Sequence, residues 1–152
     1  MQNNDIYEWI STIPPQSVEQ LAERWRRCES RLGPDGEIRL NCAVRRITDG
    51  AYVGKFDAII SSEKIATNIG YFFIPKYWGE GYASESVQAI SKHLIDHGIK
   101  ELRAMVTVGN TASCRVLEKA GYRKTRIVSA NDTIRGIKFD EVEYILKATL
   151  NS

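Results

Sequence analysis

The 152-residue sequence has few of the residues that mark specialised classes of protein. Its three cysteines, Cys28, Cys42 and Cys114, are an odd number and widely spaced, which argues against a disulfide framework and favours a reducing cytosol. Its two histidines, His93 and His97, lie four residues apart with no further Cys or His nearby. That spacing alone does not make a metal centre, so we expect a surface pair and no metal.

An excess of one charge and long hydrophobic runs are also lacking. The net charge of +2 gives no argument from composition for nucleic acid as a partner. No apolar run approaches the roughly 20 residues that span a bilayer, and the start shows no signal-peptide core. We therefore expect a cytoplasmic protein without a membrane or nucleic-acid partner. An RNA-binding module would need aromatic and basic residues on one sheet face.

The chain has the composition of an ordinary globular domain. Hydrophobic residues make up 43% and charged residues 26%, and the length suits one sizeable core rather than two. No internal repeat or low-complexity linker is present. We expect a single domain over residues 1–152.

The hydrophobic periodicity predicts strands interrupted by three helices. Ser17 is a good N-cap for a helix through about Ser30. The remaining elements are expected at Ile38–Ile47, Tyr52–Ile60 and Ile65–Ile74 (strands), Ser84 to Gly98 (helix), 101–108 (strand), Asn110 to Ala120 (helix), and Arg123–Ala130 and Val142–Ala148 (strands). One strand–helix–strand crossover lies in the middle, so the fold class is α/β (α+β) with a mixed sheet.

The stretch "PKYWGEGYASESVQAI" places Gly79 and Gly81 between a strand and a helix. A helix N-terminus carries unpaired N–H groups and partial positive charge, and glycine lets the backbone approach a phosphate closely. The stretch is therefore a candidate pyrophosphate cradle. It lacks the Gly-Lys-Ser/Thr ending of a Walker loop and the third glycine of a dinucleotide fingerprint. A tight turn that needs positive φ would explain the same glycines.

The residues around and after this turn allow a more specific interpretation of it. The stretch "IGYFFIPKYWGEGYASESVQAISKHLIDHGIKELRAMVTVGNTASCRVLEKAGYRK" resembles the acetyl-CoA-binding half of a GNAT-superfamily N-acetyltransferase. It is most similar to the branch that acetylates ribosomal-protein N-termini. Trp78, Gly81 and Ala83 occupy the family's Q/R-x-x-G-x-G/A positions, and "NTASCRVLEKAGY" matches the branch's N-x-x-S-x-x-x-L-E-K-x-G-F/Y. The likeness is strong from Ile69 to Tyr122.

The resemblance implies a mostly antiparallel twisted sheet with helices on both faces. Its two central strands would splay apart and admit the pantetheine arm of acetyl-CoA, the acyl-donor substrate. The implied cofactor contacts are Phe73, Ile74, Trp78, Gly79, Glu80, Gly81, Tyr82, Ala83, Ser84, Asn110 and Ser113. Asn110 is equally a good N-cap, and capping alone would explain it.

The sequence departs from the family pattern at three positions. Trp78 replaces the usual Gln or Arg, Leu117 stands where many members carry a tyrosine general acid, and Asn68 stands where many relatives in the branch have a glutamate. The resemblance leaves Ser113 as the general acid. We also expect the family's usual first strand to be missing, and a sheet edge left exposed favours a homodimer.

The general base is expected among carboxylates of the last hairpin, as the resemblance implies. The candidates are Asp132 and Glu141, with Asp140 and Glu143 beside them, although most such side chains are solvated charges. Without an assured base, an α-amine with a pKa of about 8 is an easier acceptor than a lysine amine of about 10.4, because far more of it is neutral at pH 7.

The sequence therefore predicts an acetyl-CoA-dependent N-acetyltransferase that moves an acetyl group directly to a primary amine. The acceptor would be a protein N-terminal α-amine or a small amine. The alternative is a catalytically idle acyl-CoA-binding regulator or interaction protein.

Overall fold

A computed structural model describes residues 7–28, 32–33 and 35–149. Within these ranges the helices are α1 (Val18–Cys28), α2 (Tyr82–Asp96) and α3 (Thr111–Lys119), with a 3₁₀ turn at Pro75–Tyr77. The strands are β1 (Ile38–Arg45), β2 (Tyr52–Ile60), β3 (Ile65–Phe73), β4 (Glu101–Thr107), β5 (Arg123–Ile134) and β6 (Ile137–Lys147). Over this part of the chain, none of the helices has the length and apolar character needed to cross a bilayer.

The six strands form one sheet in the order β1-β2-β3-β4-β6-β5. Neighbours are antiparallel except β3 and β4, which run parallel. The crossover between those two strands is α2, as a parallel pair requires. The predicted mixed, mostly antiparallel sheet with a central strand–helix–strand unit is confirmed.

The core lies where α2 and α3 pack on the sheet. Phe56, Leu102, Leu117 and Val87 are fully buried in one cluster, and each such side chain contributes about 1.5–3 kcal/mol of burial free energy. A buried hydrogen bond of 2.8 Å joins Ser91 Oγ on α2 to the hydroxyl of Tyr122, just beyond α3. The two helices are therefore held in a fixed relation to each other.

The last two strands are longer than the sequence predicts. They reach Ile134 and begin again at Ile137, across a two-residue turn of Arg135 (φ 50°) and Gly136 (φ 80°). Positive φ at both central residues is what a tight hairpin favours. Because much of this hairpin is exposed, its sequence shows no clear apolar alternation.

The first helix is capped as predicted, since Ser17 Oγ accepts the Gln20 N–H at 3.1 Å. It runs to Cys28, and Glu29 and Ser30 lie outside the described residues. Apolar residues at helical spacing on α1 are largely exposed, with Val18 at 77% and Trp25 at 51%.

The parallel strands part almost at once. The β3–β4 ladder contains only the pairs Ile65–Glu101 and Ala66–Leu102. Immediately afterwards the register between β2 and β3 shifts, and Asn68 takes a left-handed conformation with φ 49°. Such a bulge bends and twists its strand, and asparagine tolerates positive φ better than most residues. The position expected to carry a family glutamate is therefore where β3 turns away from β4.

We expect Asn68→Val to lower the free energy of unfolding by about 1–2 kcal/mol, because a β-branched residue resists positive φ. The matched control is Asn68→Gly, which also removes the exposed amide but relieves the backbone, so its stability should stay within about 0.5 kcal/mol of wild type. Urea unfolding followed by circular dichroism measures both. Equal losses in the two variants would contradict the assignment of strain to the bulge.

Candidate active site

A cavity of about 500 Å³ lies beside the end of β3, past the residues at which β3 pairs with β4. Four parts of the chain line it. They are the end of β3 (Tyr71, Phe72, Phe73), the glycine turn with the start of α2 (Tyr77 to Gly79 and Gly81 to Ser84), the start and one face of α3 (Asn110, Ala112, Ser113, Arg115, Val116, Lys119), and residues Glu8, Trp9 and Ile10.

The glycine turn has the geometry that an anion site needs. Gly79 and Gly81 have φ of 79° and 84°, and a Cβ added at either would meet no atom within 4 Å. Gly81 is the N-cap of α2, and the first intrahelical bond runs from Glu85 N–H to Gly81 O at 3.0 Å. The N–H groups of Tyr82, Ala83 and Ser84 therefore have no partner within the helix. The positive φ that a tight turn needs is therefore present at both glycines, and the pyrophosphate cradle stays a prediction.

The end of β3 turns main-chain groups toward the gap. Ile74 N–H donates to Val53 O at 2.9 Å, so the alternation of an antiparallel ladder points the amide groups of Phe73 and Tyr71 away from β2. Ile74 O accepts Tyr77 N–H at 2.9 Å. The main-chain groups of Phe73 thus face away from β2, whereas both main-chain groups of Ile74 are engaged within the chain. The cofactor contacts expected of both residues stay predictions.

Trp78 has a partner that the sequence did not indicate. Its indole Nε1–H donates to Phe73 O at 2.7 Å. The side chain that replaces the family's Gln or Arg therefore closes the 3₁₀ turn back onto β3. This hydrogen bond also occupies the Phe73 carbonyl, which faces away from β2.

The start of α3 brings Asn110 and Ser113 to the cavity. Asn110 is the N-cap, and its Oδ1 accepts Ser113 N–H at 3.2 Å. The hydroxyl of Tyr71 lies 2.8 Å from Ser113 Oγ and 3.1 Å from Ser113 O. Burial raises the pKa of the Tyr71 phenol above its ordinary range. Leu117, at the position where the family often has tyrosine, is fully buried in the core.

The predicted acids of the last hairpin do not line this cavity. Asp132 Oδ1 accepts the N–H of Thr133 at 2.8 Å, and the Glu141 carboxylate accepts from the side-chain amide of Asn131. The neighbouring Asp140 accepts Ala130 N–H at 2.8 Å. These bonds belong to the hairpin itself, so the general-base role of Asp132 and Glu141 stays a prediction.

Glu143 is held more tightly than the other hairpin acids. Its side chain is 10% exposed, and it accepts from Arg126 Nε at 3.0 Å and from Thr125 Oγ1 at 2.7 Å. The hydrogen bonds from Arg126 and Thr125 lower the pKa of the Glu143 carboxyl. A carboxylate stabilised in this way is a weaker base, and Glu143 acts as a structural link between β5 and β6.

Two residues of the cavity could not be found from the motifs. Tyr71 had one signal, since a tyrosine within an apolar strand usually needs a partner for its hydroxyl. Glu8 had none, yet it is the one acidic side chain that lines the cavity within the described residues. Arg135 Nη2 donates to Tyr7 O at 2.8 Å, and a Cβ on Gly109 would lie 3.4 Å from the Trp9 ring. Residues 7–10 are therefore anchored to the hairpin and to the end of β4.

Comparison with known proteins identifies the class to which this fold and site belong. The family model for the acetyltransferase (GNAT) domain matches residues 1–123, and the chain belongs to this family of acetyltransferases. Acetyl-CoA is the acyl donor of the family. The resemblance inferred from the sequence is thereby confirmed at the level of the family.

Individual proteins agree with this assignment. The chain is 30% identical over 146 residues to the probable N-acetyltransferase YjcK of Bacillus subtilis, covering 90% of this chain and 77% of YjcK. Its fold matches that of Mycobacterium smegmatis RimJ, solved with CoA-disulfide, at a TM-score of 0.84, 18% identity and coverage of 95% and 71%. It also matches spermidine N-acetyltransferase from Vibrio cholerae, solved with CoA and spermine, at a TM-score of 0.78, 17% identity and coverage of 96% and 84%.

We expect Gly81→Ala to weaken coenzyme A binding about tenfold or more, because its Cβ would occupy the space beside the open amides. Gly136→Ala is the matched control. It also forces alanine to positive φ with no atom within 4 Å, but it lies in the hairpin turn outside the cavity lining. Both variants should lose similar thermal stability. Isothermal titration calorimetry measures the affinity, and an equal loss of affinity in the two variants would contradict a phosphate role for the turn.

Glu143→Gln tests the hairpin link through its pH dependence. Because the folded-state pKa of Glu143 is lowered, its ion pair stabilises the fold above the unfolded-state pKa, and this contribution is lost as pH falls through the folded-state pKa. We expect wild type to be the more stable protein at pH 7 and its advantage to shrink below about pH 5. Urea unfolding at several pH values measures this, with the exposed Glu63→Gln as control for loss of one carboxylate. A pH-independent difference would contradict the assignment.

Proposed function

We propose that the protein is an acetyl-CoA-dependent N-acetyltransferase that moves the acetyl group directly to a primary amine. The observation that carries this proposal is one cavity lined both by the amides at the start of α2 and by the Ser113 hydroxyl. An anion-binding helix start beside a proton donor fits a phosphate-bearing thioester. The proposal also places the chain in the ribosomal-protein branch of the family, which the likeness to RimJ favours.

The acyl donor would lie along the gap. The amides from Gly79 to Ser84 would bind its pyrophosphate, and Phe73 N–H would meet the pantetheine arm. Arg115 and Lys119 are one helical turn apart on α3, and both line the cavity. They are cations that could balance the remaining phosphate charge. The sulfur would then reach Ser113.

The reaction proposed at this site requires no covalent enzyme intermediate. The neutral amine nitrogen attacks the thioester carbon, and the carbon–sulfur bond breaks as the amide forms. The sulfur takes the hydroxyl proton of Ser113. The proton that the amine nitrogen sheds returns to Ser113 Oγ through water, so the hydroxyl is restored. The main-chain N–H groups facing the gap would stabilise the oxyanion.

Two acceptor classes are compatible with the proposal. Among the similar folds, the ribosomal-protein-S5-alanine acetyltransferase of Vibrio fischeri represents a protein acceptor, and spermidine N-acetyltransferase represents a polyamine acceptor. We favour an α-amine, because no hairpin acid lines the cavity and an α-amine needs the least help from a base. Glu8 would attract the acceptor while it is still an ammonium ion.

A panel of amines with Ellman detection of released thiol tests the function. It should contain a peptide with a free N-terminus, the same peptide N-acetylated with one lysine, and a polyamine. We expect thiol release to depend on the amine and Ser113→Ala to lower kcat about a hundredfold, with coenzyme A affinity retained in calorimetry. The exposed Ser129→Ala is the control and should match wild type.

The panel also decides between the enzyme and the alternative function. Tight acetyl-CoA binding without thiol release for any amine would contradict the enzyme and favour the acyl-CoA-binding regulator. A homodimer and a cytoplasmic location stay predictions.

A further inference from the structure

The phenol of Tyr71 reaches the Ser113 hydroxyl from a different element of the fold. Tyr71 lies on β3 and Ser113 in the first turn of α3, 42 positions later in the chain. Their side-chain oxygens are 2.8 Å apart, and the phenol oxygen also lies 3.1 Å from Ser113 O. Both residues line the cavity. The contact therefore lies inside the candidate active site.

We propose that Tyr71 is a positioning residue that directs the Ser113 hydroxyl hydrogen toward the thioester sulfur. The proposal rests on the proposed function and deepens it. A serine hydroxyl has one hydrogen and two lone pairs. If Ser113 donated its hydrogen to Tyr71, none would remain for the sulfur. When Tyr71 donates to Ser113 Oγ instead, the serine hydrogen is free to point into the cavity.

The geometry around Ser113 permits this arrangement. The Tyr71 hydrogen has two acceptors in reach, the main-chain oxygen and Oγ of Ser113. A carbonyl inside a helix accepts the N–H four residues later. The Ser113 carbonyl therefore keeps a hydrogen-bond partner when the phenol donates to Oγ instead. With a sulfur present, the two hydroxyls form a chain in which Tyr71 donates to Ser113 and Ser113 donates to sulfur. Hydrogen bonds in such a chain polarise and strengthen one another.

Tyr71 keeps its own proton throughout. Its pKa is raised above the ordinary tyrosine range by burial, so the phenol stays neutral and remains a donor at physiological pH. The proton that sulfur receives comes from Ser113 and is replaced by the one shed from the amine. Tyr71 thus acts through Ser113. Leu117 offers no hydroxyl, and Tyr71 brings a phenol to Ser113 from β3.

The test is Tyr71→Phe, alone and combined with Ser113→Ala. We expect Tyr71→Phe to lower kcat about tenfold, as loss of one hydrogen bond to a reacting group would. The KM for acetyl-CoA should stay within about twofold, because the ring and its packing remain. In the Ser113→Ala background the same change should have no further effect.

Tyr122→Phe is the matched control. Its hydroxyl also lies 2.8 Å from a serine oxygen, that of Ser91, but neither residue lines the cavity. We expect it to lower the thermal midpoint without lowering kcat. An equal fall in kcat for Tyr71→Phe and Tyr122→Phe, or an equal effect of Tyr71→Phe with and without Ser113, would overturn the proposal in favour of a structural role.

A second measurement does not depend on turnover. In a Cys114→Ala background, Ser113→Cys places a thiol where the hydroxyl was, and its alkylation by iodoacetamide is followed against pH by peptide mass spectrometry. Donation from Tyr71 stabilises the thiolate, so adding Tyr71→Phe should move the midpoint of this curve upward by about one pH unit. An unchanged midpoint would overturn the proposal. If wild type acetylates no amine, the proposed function fails, and this curve alone still decides whether Tyr71 donates to position 113.

Discussion

The early parting of β3 from β4 is the constraint on which the rest of the structure depends. Two parallel strands that continued side by side would pair the main-chain groups that face each other along their length. Here the ladder contains two residue pairs and then stops, because β3 bulges at Asn68 and bends away. The main-chain groups of Tyr71 and Phe73 are thereby left facing a cavity rather than a neighbouring strand. An extended thioester-bearing arm that contains amide groups can form hydrogen bonds with such an edge.

The helices that follow β3 and β4 place two further groups beside this edge. α2 begins after the glycine turn with N–H groups that have no partner within the helix, and α3 is capped by Asn110 and carries Ser113 in its first turn. Both helix starts line the same cavity. Because Val87 on α2 and Leu117 on α3 are buried in one core cluster, the distance between the start of α2 and the serine is set by packing rather than by a loop.

Several positions serve structure and the proposed chemistry together. Gly81 caps α2 with positive φ and leaves its amides open. Asn110 caps α3 while its side chain lines the cavity. Trp78 joins the 3₁₀ turn to β3, and its indole N–H occupies the Phe73 carbonyl. A residue can therefore cap a helix and also be proposed as a cofactor contact, and a glycine turn can also be proposed as a phosphate site. These alternatives do not exclude each other.

Local features were the most accessible to prediction. The strand pattern, the caps at Ser17 and Asn110 and the glycine turn follow from spacing, helix-end chemistry and backbone sterics within a few residues, and the structure confirms them. Resemblance of the central segment to a family added the cofactor. The hairpin was harder, because strands with exposed sides have no strong apolar alternation to mark their ends.

The sequence by itself determined the order of elements, the glycine turn before α2 and the cap at the start of α3, since each depends on neighbours along the chain. Only the tertiary structure decided that Tyr71 meets Ser113 and that Glu8 rather than Asp132 or Glu141 lines the cavity. It also decided that Asn68 is the site of a bulge. These relations join residues far apart in sequence, and they arise from how strands pair and helices pack, which no local pattern of side chains encodes.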